Sequence, residues 1–372
     1  MTTGSGTGAG TASGTGTGTA SGTGTGTASG ERRGAWQATH IFYAANPRPM
    51  FLQCIRPLIA SLEADGLLAN YFFINYWLQG PHVRLRIRPT SPEAEPEVRR
   101  RTEEAVDAFL AERPALYEVD SGFLRDFYDA LFQIEFPEAD RTAYLDDQGR
   151  MRLQPNNSRS AEPYEPEYAK YGGPAGIELA EWHFRRSSDL VIDAFRTKNL
   201  HLRTVLLGTS AQLMMVMSGC FMPEGDRLAG YLESYYQFWH QAFPDTGFIG
   251  TDEYDRNYAQ MAPDLARRFG HIRRAVASGE PGRLPAFVDG WAAHCRELRD
   301  RAHDLSVRGE LVFPSADGSL VPFTDPDKAL PRLLSPYMHM TNNRLHVTIR
   351  DEAYLSHVLA RVLREFTVGA GT

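Results

Sequence analysis

The chain has 372 residues, of which 42% are hydrophobic and 11% aromatic, enough for one large hydrophobic core or two smaller ones. The formal net charge is -7 and the isoelectric point is near 5.9, which excludes the broad basic field that draws nucleic-acid backbones or anionic membranes to a protein surface. Three cysteines, Cys54, Cys220 and Cys295, are too few and too far apart for a disulfide framework or a structural zinc site. The sequence therefore predicts no direct nucleic-acid or membrane partner and a reducing, cytoplasmic location.

The N-terminal segment, residues 1–34, repeats TASGTGTG, and small polar residues of this kind predict a disordered tail. The tail has neither the basic region nor the apolar core of a signal peptide. Residues 205–222, VLLGTSAQLMMVMSGCFM, are nearly long enough to span a bilayer, but glycine and polar residues interrupt them, which favours a buried helix. We expect a single domain over residues 35–372.

Strands dominate the first half of this domain. WQATHIFYA, from Trp36, predicts a strand, and the apolar spacing over residues 49–64 predicts a helix. LLANYFFINYW (67–77) and GPHVRLRIR (80–88) predict a hairpin that turns at Gly80-Pro81. A charged helix is expected over residues 91–114, and short strands are expected at LYEVD (116–120) and MRLQP (151–155).

Helices dominate the second half. Apolar residues recur at helical spacing in five segments: 176–197, 201–220, 225–243, 252–277 and 284–305. A final strand near 337–349 and a helix over 351–366 complete the prediction. This order indicates an α+β fold, with a mixed or antiparallel sheet flanked by helices and a predominantly helical second half.

The arginine-rich strand carries the first candidate site. Side chains alternate between the two faces of a strand, so Val83, Leu85 and Ile87 point into the core while His82, Arg84, Arg86 and Arg88 point the other way. The basic face is either a solvated sheet surface, as antiparallel sheets often have, or an anion cradle, because a guanidinium group matches a carboxylate with two parallel hydrogen bonds.

A second candidate lies in EPYEPEYAKYGGPAGIELAE (162–181), where a loop rich in tyrosine and glutamate enters a helix through Gly172-Gly173. The N-terminus of a helix attracts anions, although the same segment is also typical of a proline-rich connector with solvated glutamates. Glu165 and Glu167 are two residues apart on an extended backbone, so only one of them is expected to face a site.

The third candidate is SPYMHMTNNRLHV (335–347), a predicted strand that contains His339 and Arg344. A lone histidine is more often structural than catalytic. The sequence has no Walker loop, HExxH motif, CxxC pair or GxSxG motif, so it predicts no metal and no cofactor. Arginine, glutamate and histidine suit acid–base chemistry on a substrate that bears carboxylates.

Three stretches in this order, YFFINYWLQGPHVRLRIR, YEPEYAKYGGPAGIELAE and HMTNNRL, resemble the C-terminal elimination domain of lantibiotic dehydratases and the stand-alone thiopeptide-type bacteriocin biosynthesis proteins. The resemblance runs from about Trp36 to Phe366. It implies removal of glutamate from glutamylated Ser or Thr of a ribosomally made precursor peptide, which leaves dehydroalanine or dehydrobutyrine. A separate tRNA-dependent subunit would add the glutamate, and a homodimer is compatible with the resemblance.

The resemblance also implies residue roles. It implies that Arg84 and Arg86 bind the glutamyl group, that Glu167 and Lys170 act from the tyrosine-glycine loop, and that His339 transfers a proton. We therefore predict three catalytic residues, Glu167, His339 and Arg84, and five substrate-binding residues, Arg84, Arg86, Lys170, Tyr171 and Arg344. The family pattern usually has arginine where this chain has Lys170, which keeps the charge and loses the two-pronged hydrogen bonding of a guanidinium. Which of Glu167 and His339 is the base stays open at this point.

Two alternatives use the same scaffold. Thiopeptide pyridine synthases look like relatives of this domain that join two dehydroalanines in a formal aza-[4+2] cycloaddition with loss of the leader peptide. The other alternative is a non-catalytic subunit that binds the leader peptide through its aromatic loop.

Overall fold

The structure is a computed structural model, and it describes residues 33–116, 132, 142–242 and 252–367. It is an α+β fold, as predicted. The chain divides into two compact units: the first holds the described residues of Met1–Ala69 and Asn75–Pro163, and the second holds Asn70–Ile74 and those of Tyr164–Thr372. Residues 1–32 of the predicted tail and most of LYEVD lie outside the described residues.

A four-stranded antiparallel sheet organises the first half of the chain. Its strands are β1 (Gln37–Phe42), β2 (Leu68–Tyr76), β3 (His82–Pro89) and β4 (Ser158–Glu162), in the spatial order β2-β3-β1-β4. The hairpin of β2 and β3 predicted around Gly80 is confirmed. Gly80 has a φ of 110°, a backbone conformation that glycine adopts readily and other residues rarely do. Strand β1 pairs antiparallel with both β3 and β4.

Two α-helices of the first unit lie within the residues that the structure describes. Helix α1 consists of Arg48–Met50, the π-helical turn Phe51–Ile55 and Arg56–Ala64, and helix α2 is Glu95–Glu112. The predicted apolar face of α1 is confirmed, since four of its side chains are buried: Phe51, Ile55, Leu58 and Leu62. Arg159 of β4 forms an ion pair with Asp107 of α2, with Nε 2.7 Å from Oδ1.

The second unit is almost entirely helical. Its helices are α3 (Tyr168–Tyr171), α4 (Gly173–Thr197), α5 (Arg203–Phe221), α6 (Gly225–Ala242), α7 (Asp252–Ser278), α8 (Ala286–Val307), α9 (Pro326–Arg344) and α10 (Ile349–Thr367). A small hairpin of β5 (Val312–Pro314) and β6 (Leu320–Pro322) joins α8 to α9. The middle of β2 packs on α4, where Phe72 contacts Phe184 at 5.2 Å between ring centroids.

Helix α5 contains the long apolar stretch. By length and composition it is the one described helix that could cross a membrane, and 67% of its most apolar window is buried inside the protein. Trp291 of α8 donates its indole N–H to the Leu213 carbonyl at 3.1 Å. A helix that is apolar on all sides and surrounded by other helices is typical of a protein core, as the interrupted sequence predicted.

Two strands predicted from the sequence, residues 337–349 and residues 151–155, are not present in the structure. The strand predicted over 337–349 is wrong, because residues up to Arg344 form helix α9. Met338 and Met340 are buried, but so are the polar Thr341, Asn342 and Arg344, so the polar residues of this segment do not mark an exposed face from which a period can be read. MRLQP forms only an isolated bridge between Leu145 and Met151.

Candidate functional site

The basic face of β3 is built across strands. In the register of β1 and β3, Phe42 lies opposite His82, His40 opposite Arg84, and Ala38 opposite Arg86. The His82 ring is almost fully buried, with its centroid 4.7 Å from that of Phe42 and 5.7 Å from that of Tyr76. Arg84 and Arg86 are half-buried. The face is therefore an enclosed surface that carries both predicted arginines, rather than a fully solvated one.

Hydrogen bonds fix the protonation of His82. Arg84 donates its Nε–H to Nε2 of His82 at 3.1 Å, so Nε2 must be the unprotonated nitrogen. The other nitrogen, Nδ1, carries the proton and donates to the Gly80 carbonyl at 2.9 Å. Burial, together with Arg84, lowers the pKa of His82 to about 3 despite the opposing effect of the Gly80 carbonyl.

His40 is also held neutral. Burial first, and then the neighbouring Arg84, His82 and Arg86 side chains, lower the pKa of His40 to about 2. At neutral pH the guanidinium groups of Arg84 and Arg86 therefore lie on the same face as two uncharged imidazoles. This arrangement favours an anion, because the guanidinium groups keep their charge and match a carboxylate with two parallel hydrogen bonds.

The glycines of the YGG segment shape the second candidate region. Gly172 and Gly173 have φ values of 86° and 83°, which L-residues rarely adopt. The Gly172 carbonyl accepts from the Val312 N–H at 3.0 Å, and a Cβ on Gly173 would overlap the Val312 side chain. Strand β5 thus holds the turn between α3 and α4 in place.

Glu167 and Lys170 are brought together at the start of α3. Lys170 Nζ lies 3.3 Å from Glu167 Oε1, and both side chains are about half exposed. Glu167 immediately precedes the helix, and its backbone carbonyl accepts from the Lys170 and Tyr171 amides. Glu167 and Lys170, both predicted to act in the site, therefore form one exposed ion pair.

Tyr171 and Arg344 lie inside the second unit. Tyr171 is 2% exposed and stacks on Tyr337 at 5.9 Å between centroids. Arg344 is 0% exposed, donates to the Met340 carbonyl at 2.9 Å and lies 4.6 Å from the centroid of Phe184. Both were predicted to bind substrate, but their burial gives a substrate no access to them in this structure, so we do not include them among the proposed substrate contacts.

His339 projects from α9 and is held by a carboxylate that the sequence analysis missed. Its Nδ1 lies 3.0 Å from Glu352 Oε2, and the Tyr235 hydroxyl donates to Glu352 Oε1 at 2.5 Å. Glu352 is 1% exposed, whereas 24% of the His339 side chain is accessible. The Trp239 ring lies against His339 with 5.0 Å between centroids.

The sequence did contain a signal for Glu352. In the predicted helix over 351–366, it occupies the face that carries Ser356, Leu359 and Leu363, all of which are buried. A carboxylate on the apolar face of a helix needs a partner. Tyr235 had no comparable signal, because tyrosines are common on helices that pack in a core.

The predicted residues fall in both units. Arg84 and Arg86 belong to the first unit, and Glu167, Lys170 and His339 belong to the second. Within the residues that the structure describes, no group of three or more His, Cys, Asp or Glu side chains is placed to hold a metal ion.

The family is decided by the match to the sequence model described as "Lantibiotic biosynthesis dehydratase C-term", which covers residues 36–363. The chain belongs to this family. No curated protein matches the sequence significantly. Its membership agrees with the resemblance carried by the arginine strand, the YGG segment and HMTNNRL.

Three solved structures share the fold of this family member. TbtD, the pyridine synthase from thiomuracin biosynthesis, has a TM-score of 0.71 and 21% identity, over 90% of this chain and 100% of that one. TsrL has a TM-score of 0.60 and 15% identity, over 90% and 95%. The tRNA-dependent lantibiotic dehydratase MibB from Microbispora sp. 107891 has a TM-score of 0.52 and 18% identity, over 94% of this chain and 29% of MibB.

Proposed function

We propose that this chain eliminates glutamate from glutamylated Ser or Thr residues of a precursor peptide. The observation that carries the proposal is the β3 face, where Arg84 is oriented by His82 and Tyr76 beside Arg86 and two neutral histidines. A glutamate leaving group bears carboxylates, and fixed guanidinium groups stabilise negative charge as it develops. Family membership supports modification of a ribosomally made peptide as the wider context.

The reaction requires a base and a stabilised leaving group. A base removes the Cα proton, the Cα–Cβ double bond forms, and the Cβ–O bond breaks as glutamate departs with the electron pair. We assign leaving-group binding to Arg84 and Arg86. We propose His339 as the base, Glu167 as a further catalytic residue and Lys170 as a substrate-binding residue.

The glutamylated substrate must come from elsewhere. The chain spans 29% of MibB, which is described as a tRNA-dependent dehydratase. We propose that another polypeptide or protein region carries out the tRNA-dependent glutamylation and that this chain acts on the product. The reducing location expected from the sequence is consistent with Cys54, Cys220 and Cys295, which are all free and buried.

The test supplies the purified protein with a chemically glutamylated precursor peptide and follows the products by mass spectrometry. We expect loss of one glutamic acid per modified residue, and Arg84→Ala and His339→Ala should each remove this activity. Arg100→Ala, at an exposed ion pair of α2, is the matched control and should retain it. Full activity in both site variants would contradict the assigned site.

A pyridine synthase is the second candidate, because the chain matches the full length of TbtD. Its substrate already contains dehydroalanines and has no glutamyl group. A peptide with preinstalled dehydroalanines therefore separates the candidates: release of the leader peptide from it, without glutamate loss from the first substrate, would replace the lyase with the cyclase. Binding of both peptides without a product would favour the non-catalytic subunit.

A further inference from the structure

A buried carboxylate lies between two helices of the second unit. Glu352 is in the first turn of α10, and its backbone N–H donates to the Thr348 carbonyl at 2.9 Å. Its carboxylate contacts two side chains with different chemistry, the Tyr235 hydroxyl of α6 and the His339 imidazole of α9. The N-terminal turn of a helix stabilises negative charge, which offsets part of the cost of burying this carboxylate.

The directions of these hydrogen bonds follow from chemistry. Burial, and then the charge of Glu352, raises the pKa of Tyr235 well above its usual value, so the phenol keeps its proton and donates it. An ionised carboxylate has no proton to donate, so Nδ1 of His339 must carry the hydrogen between them. When the ring is neutral, its lone pair is then on Nε2.

We propose that Glu352 is a positioning residue for His339 and that Tyr235 positions Glu352. This inference rests on the proposed function. The buried carboxylate holds the imidazole in the Nδ1–H tautomer, which leaves Nε2 as the nitrogen that accepts the Cα proton. The same negative charge stabilises the imidazolium that forms when the proton arrives.

A second histidine–glutamate pair on the same helices offers a matched comparison. His357 of α10 has Nδ1 3.5 Å from Oε2 of Glu233 in α6, and 21% and 23% of these side chains are exposed. Glu233 also pairs with Arg364 at 3.4 Å. This partly solvated pair uses the same residue types in a longer contact and has no role in the proposed reaction.

The experiment compares Glu352→Gln, Tyr235→Phe and the control Glu233→Gln. Glutamate release gives kcat and KM, and the ring ¹⁵N shifts of His339, identified by their absence in His339→Asn, report which nitrogen carries the proton. We expect Glu352→Gln to lower kcat by about 10- to 1,000-fold with KM within about threefold, since loss of an orienting carboxylate acts mainly on the proton-transfer step. Its ¹⁵N shifts should move away from the Nδ1–H tautomer.

Tyr235→Phe should lower kcat by a smaller factor, because the contact between His339 and Glu352 remains, and Glu233→Gln should match the wild type. A folded Glu352→Gln protein with kcat within twofold of the wild type, or with unchanged His339 shifts, would overturn the proposal. Should Glu352→Gln fail to fold, the His339 shifts of the wild type decide it, because a neutral wild-type ring protonated at Nε2 instead of Nδ1 would overturn the proposal. If the wild type releases no glutamate, the proposed function fails, whereas the tautomer measurement still decides whether Glu352 orients His339.

Discussion

Arg84 lies over the face of Tyr76, with its guanidinium carbon 3.6 Å from the ring centroid, while its Nε–H donates to His82. The aromatic face and the imidazole acceptor restrict the guanidinium in two directions. A charge that is already oriented loses little entropy when it binds an anion. Both contacts of Arg84 therefore require a guanidinium group and not merely a positive charge.

Arg84→Lys tests this requirement. Lysine keeps the charge but lacks both the planar group that covers Tyr76 and the Nε–H that His82 accepts. We expect kcat/KM for glutamate release to fall by roughly 10- to 100-fold. Arg100→Lys on α2 is the control and should change the rate less than twofold. An Arg84→Lys enzyme as active as the wild type would show that charge alone is sufficient.

Lys170→Arg should have the opposite outcome. Lys170 pairs with Glu167 across 3.3 Å at an exposed position, so a longer guanidinium has room and can form two parallel hydrogen bonds. We expect kcat/KM for glutamate release to be equal to or above that of the wild type, and Lys170→Gln to be slower. Loss of activity in Lys170→Arg would indicate a site that is shaped for lysine and for a different substrate.

Two glycine substitutions separate backbone strain from helix propensity. Gly173→Ala combines a φ of 83° with overlap on Val312, so we expect it to lower the free energy of unfolding by about 2–3 kcal/mol or more. Gly208→Ala in α5 meets nothing within 4 Å and should raise that free energy by about 0.5–1 kcal/mol. Urea denaturation measures both, and equal effects would contradict the role given to β5 in holding the turn.

Two buried histidines predict a loss of stability in acid. His183 Nδ1 and His294 Nε2 are 2.9 Å apart. Burial, followed by Arg186 and Arg301, lowers the pKa of His294 to about 3, and burial also lowers that of His183. Between pH 6.5 and 3 the unfolded chain binds protons at these rings that the folded chain does not. The free energy of unfolding should therefore fall as the pH decreases through this window.

His294→Phe checks this prediction. Removing one such ring should reduce the pH slope of the free energy of unfolding by up to about 1.4 kcal/mol per pH unit between pH 6 and 4. His303→Phe, at a half-exposed position of the same helix α8, is the control. Urea denaturation at several pH values gives the slopes, and identical slopes for His294→Phe and the wild type would refute the assignment.

The sequence predicted the elements whose pattern is local. In β3 the alternation of valine, leucine and isoleucine with histidine and arginine has a period of two, and a glycine-proline turn precedes it, so the strand, the hairpin and the basic face could be predicted. Helices α4 to α8 followed in the same way from apolar spacing. The three-residue strands β5 and β6 are too short to show any period.

The strand predicted for HMTNNRL was wrong for the opposite reason. Three of its polar side chains, Thr341, Asn342 and Arg344, are buried, so polarity does not mark the exposed face, and the choice between helix and strand depends on what surrounds the segment. The pair of His339 with Glu352 joins residues that are 13 positions apart on two helices. The packing of those helices, which no short stretch of sequence encodes, brings them together.

The close approach around Gly176 has a consequence for protein engineering. A Cβ at this position would overlap the Tyr171 carbonyl, while Leu311 and Phe313 close on Gly172 from the hairpin side. The loop, the first turn of α4 and strand β5 therefore form one steric unit drawn from segments far apart in the chain. A chimera that takes this loop from a relative must also take the residues of that relative at positions 311–313. Otherwise the new loop would pack against side chains that do not fit it.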